Sequence, residues 1–247
     1  AGAAGGGVAS GTACANGATT LVGCAIGTSD TTYTITGDIT PADGVIGIAF
    51  TDSADNNNLT LFGNISTENA NGIYLQSADF NAINITGNIT TAGSRDRGLR
   101  LSTSNRNTIN LTGNITTTGD SGIGLSLFNS DSNTITITGD IITSGTGGDS
   151  EPILLNDSDS NTFILSGAVH SLGGDQAIAV NATSQNNTFT FKRGASFIGG
   201  LENNGGSTNK LIFDMGKSAS YNLDFDDTSW TMEDLHKPIV EGSAKSM

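Results

Sequence analysis

The sequence predicts an all-β fold, a right-handed parallel β-helix of six or seven coils. Two observations predict it: a nine-residue phrase recurs along the chain, and each copy alternates apolar and polar residues. The phrase is NTINLTGNI from Asn107 and NTITITGDI from Asn133. Its glycine recurs every 24 to 28 residues, at Gly37, Gly63, Gly87, Gly113, Gly139 and Gly167. Repeats of this length are typical of solenoid architectures.

Each repeat carries two runs in which apolar and polar residues alternate. Within residues 107–133, the first run places apolar or small residues at every second position: Ile109, Leu111, Gly113 and Ile115. The second run does the same with Ile123, Leu125 and Leu127. This alternation predicts strands with one buried face, and the first strand is expected to continue through Gly113. The polar segments TTTGDSG and NSDSN predict turns.

One repeat cannot bury its apolar face alone, so stacked copies are expected to share a core. Hairpins within each repeat are the alternative, but they favour two-residue turns. The turns here are longer and of variable length, which favours a coil that returns to the same position on each lap. Parallel connections are normally right-handed. We expect a cap over residues 1–31, the β-helix over 32–213, and a C-terminal coil, cap or junction to a downstream region over 214–247.

An asparagine stands just before each phrase or at its start. Stacked coils would bring these residues into one column, in which each amide can bond the next amide or hold the backbone of the turn. A structural column is therefore predicted, with a ligand site as the less favoured reading. Its members are Asn57, Asn81, Asn107, Asn133, Asn161 and Asn187.

Composition excludes several classes of partner. Ten Lys and Arg face 24 Asp and Glu, a net charge of −14, which argues against a nucleic-acid partner. No apolar run is long enough to span a membrane. The start AGAAGGGVAS lacks the features of a signal peptide, and fits either the start left after one is removed or an end unrelated to processing.

The chain has two cysteines, Cys14 and Cys24. Their closeness in an acidic, otherwise Cys-free sequence favours a local disulfide of an exported protein, with two free thiols as the alternative. Two sulfurs without a nearby histidine cannot complete a zinc site.

These repeats resemble the passenger domains of bacterial autotransporters, which are typically β-helices with phrases of this kind, few cysteines and few basic residues. The segment GASFIGGLENNGGSTNKLIFDMG from Gly194 resembles such a passenger near its C-terminal part. The resemblance covers about residues 32–216. It implies export to the bacterial surface or the extracellular space, as a passenger or part of one. Members include adhesins, self-associating proteins, proteases and esterases, so the activity stays open.

Candidate catalytic residues are sparse. The two histidines, His170 and His236, have no nucleophile elbow with them, so a serine-hydrolase triad is not expected. A carbohydrate-active enzyme would need paired carboxylates. Acids do recur in the turns, at Asp43, Glu68, Asp96, Asp120 and Asp175. Because acids in surface turns are usual in an acidic protein, we expect no catalytic centre.

Four of the ten basic residues crowd one coil, at Arg95, Arg97, Arg100 and Arg106. We favour compensation of these charges by acids of neighbouring coils, namely Glu68, Asp79, Asp120 and Asp131. A site for an anionic glycan is the alternative. The segment DSDSN at 157–161 copies the start of a calcium loop but lacks its glycine and terminal glutamate, so no metal or other cofactor is predicted.

The polar face of the phrase stacks threonine and asparagine into columns that include Thr86, Thr112 and Thr138. Ordinary solvent-facing threonine explains the columns, and a flat uncharged face also suits association. The sequence therefore predicts an adhesin or self-associating module whose partner is another copy, a host receptor or a glycan. A carbohydrate-active enzyme is the second reading. An ice-binding protein is the third, weakened because Phe62, Ile164 and Lys192 interrupt the columns.

Overall fold

The fold is all-β, as predicted. A computed structural model describes residues 13–17, 22–51, 53–206, 208–216 and 229–236, and these contain strands and no helix. All strand pairing between neighbours is parallel, in three sheets that stack six, eight and nine strands. The parallel β-solenoid of about seven turns is thereby confirmed. Its hand stays a prediction.

The strands of each sheet come from successive coils. Sheet 1 consists of β1 (Cys24–Ile26), β3 (Ile48–Phe50), β6 (Ile73–Gln76), β9 (Arg97–Ser102), β12 (Ile123–Phe128), β15 (Ile153–Asn156), β18 (Ile178–Val180) and β21 (Leu201–Asn203). Sheet 2 consists of β2 (Thr32–Thr36), β4 (Asn58–Phe62), β7 (Ala82–Thr86), β10 (Thr108–Thr112), β13 (Thr134–Thr138), β16 (Thr162–Leu165), β19 (Thr188–Lys192), β22 (Lys210–Asp214) and β23 (Thr231–Asp234). Sheet 3 consists of β5 (Ile65–Thr67), β8 (Ile89–Thr91), β11 (Ile115–Thr117), β14 (Ile141–Thr143), β17 (Ala168–Ser171) and β20 (Ser196–Ile198). A full coil therefore passes through sheets 1, 2 and 3 in turn.

The phrase is not one strand, which corrects the prediction made from its alternation. Strand β10 ends at Thr112 and β11 begins at Ile115 in another sheet. Gly113 lies between them with φ +144°, and its N–H donates to the Thr138 carbonyl one coil on. Residues before and after this corner both place alternate side chains inward, so the sequence pattern runs through the corner without a break.

The core consists of aliphatic and aromatic ladders that run along the solenoid. Ile109 pairs in register with Ile135, and this ladder continues to Phe163 and Phe189. All four are fully buried, and the two phenylalanine rings stack with centroids 4.5 Å apart. Each side chain thus packs against its equivalent in the next coil, which buries the apolar face that a single repeat would leave exposed.

The alternation within strands is confirmed by burial. The predicted inward residues Ile109, Leu111, Ile115, Ile123, Leu125 and Leu127 are all buried, and so are Ile135 and Ile137 at the equivalent positions of the next coil. Thr112 is exposed and Thr136 is partly exposed. We expect Leu111→Ala to lower the free energy of unfolding by about 2 to 5 kcal/mol, because it leaves a cavity in the ladder. Thr112→Ala should cost about 0.5 kcal/mol or less. Equal losses in denaturant unfolding would contradict the assigned faces.

Further strands flank the β-helix expected over 32–213, within the segments expected to form the cap and the C-terminal coil, cap or junction. Strand β1 already pairs with β3 in sheet 1, and β23 adds to sheet 2 after residue 213. Cys14 and Cys24 form a disulfide, and Ala13 bridges to Ala25 beside it. The disulfide therefore joins the segment before β1 to the first coil. The rest of the expected cap, and most of 214–247, lies outside the described residues.

Candidate functional site

The predicted asparagine column lies in the turns from sheet 1 to sheet 2. Each backbone N–H donates to the side-chain oxygen of the asparagine one coil on, as from Asn107 to Asn133 at 2.9 Å and from Asn133 to Asn161 at 2.9 Å. The Asn133 amide nitrogen also donates to the Ser104 carbonyl at 3.0 Å. The column includes Asn209, which the repeat phrase did not reveal. Its members are at most 2% exposed, so the column is structural.

Two further columns run through the same turns, and sequence reasoning missed both. In one, a buried serine hydroxyl accepts from the backbone of the previous coil, as Ser158 does from Ser130 at 3.1 Å. In the other, a carboxylate or amide accepts from the next coil, as Asp131 does from Asp159 at 2.7 Å. The calcium-like segment 157–161 supplies Ser158, Asp159 and Asn161 to these columns. The Asp159 carboxylate accepts from the Gln185 N–H at 2.7 Å, so this acid of the segment bonds the backbone of the next coil.

The outer face of sheet 2 carries the predicted threonine columns in register. Thr86, Thr112 and Thr138 pair across adjacent strands, and all three are exposed. In the neighbouring column, the Asn110 amide nitrogen donates to the Asn84 side-chain oxygen at 3.0 Å. Phe62 interrupts the first column and is 50% exposed. The strands β2, β4, β7, β10, β13 and β16 contain no charged residue.

Charges appear on sheet 2 only in its last three strands. Lys192 and Asp214 form an ion pair at 2.5 Å, and His236 contacts the same carboxylate at 2.7 Å. These two partners hold the pKa of Asp214 below its ordinary value. Lys210 and Glu233 form a second pair. Both lysines at this end of the sheet are thus paired with acids of neighbouring strands.

The predicted arginine patch divides between two places. The Arg106 guanidinium lies over the Phe80 ring at 5.2 Å, in the turn between sheets 1 and 2. The Arg100 guanidinium lies over the Tyr74 ring at 4.8 Å, on the outer face of sheet 1. Arg97 donates to the Arg95 carbonyl at 2.7 Å. The close ion pairs among the described residues involve Lys192, Lys210 and His236, so the predicted compensation of the arginines by Glu68, Asp79, Asp120 and Asp131 is not seen there.

Arg97 and Arg100 belong to an ionisable cluster that we call the sheet 1 cluster: Asp96, Arg97, Arg100, Asp149 and Glu151. Burial and the neighbouring Arg100 lower the pKa of Arg97, while Asp96 and Asp149 oppose this shift. Burial raises the pKa of Glu151 to about 7, and Asp149 adds to the shift. Burial likewise raises the pKa of Asp96. Asp149 influences both Arg97 and Glu151, and so links the two ends of the cluster.

The cluster arises because equivalent positions in successive coils hold different residues. Asn71, Arg97, Ile123 and Glu151 stand at or just before the start of the sheet 1 strands in four consecutive coils. Sequence reasoning picked out Asp96 and the arginines but missed Glu151. Glu151 is a charged residue at the position that Ile123 occupies in the preceding coil. The two coils differ in length, so this equivalence is not visible in the sequence.

Most of the other predicted acids bond polar groups of neighbouring turns, although Asp43 adds to the raised pKa of Asp96 and Asp175 adds to that of Glu151. Asp43 accepts from the Asn69 amide at 2.6 Å, and Asp120 accepts from the Thr146 hydroxyl at 3.0 Å. The Thr146 bonds lower the pKa of Asp120. Asp175 accepts from the Ser150 N–H at 3.1 Å, and Glu68 is exposed. Asp43, Asp120 and Asp175 therefore each join one coil to a neighbouring coil.

The two histidines have separate partners. His170 contacts the Ser196 hydroxyl at 3.0 Å, and His236 contacts Asp214. Across the described ranges, no three His, Cys, Asp or Glu side chains are grouped so that they could hold a metal ion. None of the described segments forms a helix long and apolar enough to cross a membrane.

Comparison with curated proteins and with solved structures gave no match. Residues 6–137, more than half of the chain, match the family model described as NosD, periplasmic copper-binding protein. A periplasmic family agrees with the export expected from the sequence, whereas the finer resemblance to autotransporter passengers stays a prediction. The match to this family, together with the parallel β-helix, shows that the chain belongs to the NosD family.

Proposed function

We propose that the protein is an exported β-helical module of the bacterial surface that associates with copies of itself through the outer face of sheet 2. The observation that carries the proposal is the register of this face. Thr86, Thr112 and Thr138 repeat the same chemistry in adjacent strands. Each coil can therefore form the same contact as the coil before it, and the small binding free energies of these contacts add along the solenoid axis.

The size of the face supports weak association of each pair of molecules. Six uncharged strands of about 17 Å, spaced about 4.8 Å apart, give a face near 500 Å², below the roughly 800 Å² that each partner buries in a standard interface. The face is also polar, so its burial adds little hydrophobic free energy. Each new hydrogen bond contributes about 0.5 to 1.5 kcal/mol net. Many copies on one surface would convert this weak contact into avidity.

Charge supports the choice of face and sets the conditions of binding. The net charge of −14 makes two copies repel each other, yet the first six strands of sheet 2 contain no charged residue. Contact through this face therefore keeps like charges apart better than contact through the acidic turns. Repulsion is long-ranged at low salt and is screened within about 8 Å at physiological ionic strength. Association is expected to strengthen as salt rises towards that level.

We expect the triple change of Thr86, Thr112 and Thr138 to glutamate to abolish self-association, because it puts three like charges at the centre of the contact. Sedimentation at several protein and salt concentrations measures this, together with aggregation of cells that display the protein. The matched control is the triple change of Ser66, Thr90 and Thr116 to glutamate. These residues pair in register on sheet 3 and add the same charge on another face.

A strict monomer at high concentration, with non-aggregating cells, would contradict self-association. Adhesion to a host receptor or glycan would then be the remaining role for the face. Turnover of a polysaccharide by the purified protein would favour the carbohydrate-active reading instead. The ice-binding reading is disfavoured by Phe62, Ile164 and Lys192, which the register places within the columns of sheet 2.

The description of the family names copper, but the residues described here do not fit a copper site. Copper binds through grouped imidazole, thiolate or thioether ligands. Both cysteines are joined in the disulfide, His170 contacts the Ser196 hydroxyl and His236 contacts the Asp214 carboxylate. Met215 and Met232 pack against the hydrophobic core. We therefore assign no step of the function to copper.

A further inference from the structure

We infer that the outer edge of sheet 1 carries a second binding site, separate from the face of sheet 2, which takes an acidic saccharide between Arg97, Arg100 and Glu151. Arg97 and Arg100 come from β9, and Glu151 precedes β15 two coils further on. The strand spacing puts these coils about 10 Å apart, a span suited to an oligosaccharide rather than a single small ion. Ser126 pairs with Arg100 in the intervening strand and lies along the same face.

Buried polar atoms without partners mark this place. Among the described residues, five buried side-chain atoms have no hydrogen-bond partner, and three of them belong to the sheet 1 cluster: Asp96 Oδ2, Arg97 Nε and Glu151 Oε2. The other two are Asn57 Nδ2 and Thr91 Oγ1. Asp96 is 9% exposed and Glu151 is 7% exposed. Buried polar atoms are nearly always hydrogen-bonded, and exceptions need a reason. Three of these five atoms lie in one cluster, and this concentration points to a ligand.

Two arginines would recognise the anionic group of the ligand. Arg100 is held over the Tyr74 ring, which lies in a small apolar cluster with Ile46, Ala49 and Ala70. This support fixes the guanidinium in place on the face. Arg100 is close enough to lower the pKa of Arg97, so the two positive charges repel each other. A carboxylate or sulfate ester between two guanidinium groups would relieve this repulsion and accept paired hydrogen bonds.

Three carboxyl groups would bind the hydroxyl groups of the saccharide. Asp96, Asp149 and Glu151 add acceptors beside the arginines. A bare phosphate or a nucleic-acid backbone would face these acids and be repelled. A sugar that carries one anionic group and several hydroxyls satisfies both sets, because its anion meets Arg97 and Arg100 and its hydroxyls donate to the acids. The mixture of donors and acceptors therefore selects an acidic saccharide over a simple anion.

Binding is expected to strengthen as pH falls through about 7. Burial, with Asp149, Asp175 and Glu202 nearby, raises the pKa of Glu151 to about 7. Below that pH Glu151 becomes neutral, ceases to repel an anionic ligand and can donate a hydrogen bond to it. The carboxylate of a sugar acid stays ionised in this range. Glu151→Gln should bind at neutral pH as the wild type does at lower pH, and with a flatter pH profile.

Calorimetric titration of the whole protein tests the site. The probes are a galacturonate tetrasaccharide, a sulfated tetrasaccharide, a neutral galactose tetrasaccharide and inorganic phosphate. We expect at least one acidic saccharide to bind, and Arg97→Gln with Arg100→Gln to weaken it about tenfold or more. Arg106→Gln is the matched control, since Arg106 lies in the same coil and also stacks on an aromatic ring. Arg100→Gln alone keeps the test valid if the buried Arg97 proves necessary for folding.

Several outcomes would overturn the site. They are no binding of either acidic saccharide, binding of phosphate or the neutral sugar as tight as that of the acidic ones, or an equal loss in Arg106→Gln. Sedimentation of the sheet 2 variants is independent of these titrations. Failure of the saccharide site and failure of self-association are therefore distinguishable.

Discussion

Gly113→Ala is expected to lower the free energy of unfolding by more than about 4 kcal/mol, the range reached only by severe structural faults. A Cβ on Gly113 would lie 2.0 Å from the Gly87 carbonyl oxygen, one coil back. The clash cannot be relieved without displacing a strand, because the oxygen belongs to the backbone and the Cβ is fixed to it, both at a corner between sheets 2 and 3. The φ of +144° adds strain for any residue with a side chain. Denaturant unfolding followed by circular dichroism measures the loss.

Three other glycines separate the causes. Gly119 has the same clash, 2.0 Å from the Gly93 carbonyl oxygen, and no positive φ. Gly174 has φ +97° with nothing within 4 Å of an added Cβ, so alanine there should cost about 1 to 2 kcal/mol. Gly148 has neither feature, and its alanine variant should lie within about 0.5 kcal/mol of the wild type. Similar stability of all four variants would show that the corner does not depend on close backbone approach.

Sequence alone was sufficient for the fold because the repeat, the alternation and the asparagines all constrain the same stacking. The alternation could not reveal the corner at Gly113. Ile109, Leu111 and Ile115 keep one parity through it, since both sheets face the same core. A positive φ recurs at the equivalent place in five coils, at Gly37, Gly63, Gly87, Gly113 and Gly139. The recurrence of glycine was the one trace of this backbone property in the sequence.

The sheet 1 cluster was only half predictable, for a different physical reason. Arg97 and Glu151 differ in residue type from the equivalent positions of other coils, so the periodic pattern does not predict them. Arg97 and Glu151 are 54 positions apart in sequence but lie on the same face, two coils apart. Arg97 pairs with Ile123 in the coil between them. Register between coils of unequal length is fixed by three-dimensional packing. The sequence could therefore suggest an anionic-glycan site at the arginines but not its acidic partner.

Asn133→Ala should lower the free energy of unfolding by about 2 to 6 kcal/mol, because it orphans two buried groups that cost about 1 to 3 kcal/mol each. The Asn107 N–H loses its acceptor, Asn133 Oδ1 at 2.9 Å, and the Ser104 carbonyl loses the Asn133 amide donor at 3.0 Å. Asn133 is 1% exposed, so water cannot replace either bond without opening the turn.

The matched control is Asn110→Ala in the preceding coil. Asn110 also stacks its amide on the equivalent asparagine, donating to Asn84 Oδ1 at 3.0 Å, but it is exposed on sheet 2. Water replaces the lost bond there, so the cost should be about 1 kcal/mol or less. A comparable loss in the two variants, measured by denaturant unfolding, would mean that amide stacking itself stabilises the coils. A large loss in Asn133→Ala alone would instead locate the stabilisation in the backbone groups that the buried column satisfies, which is the role assigned to it by its bonds.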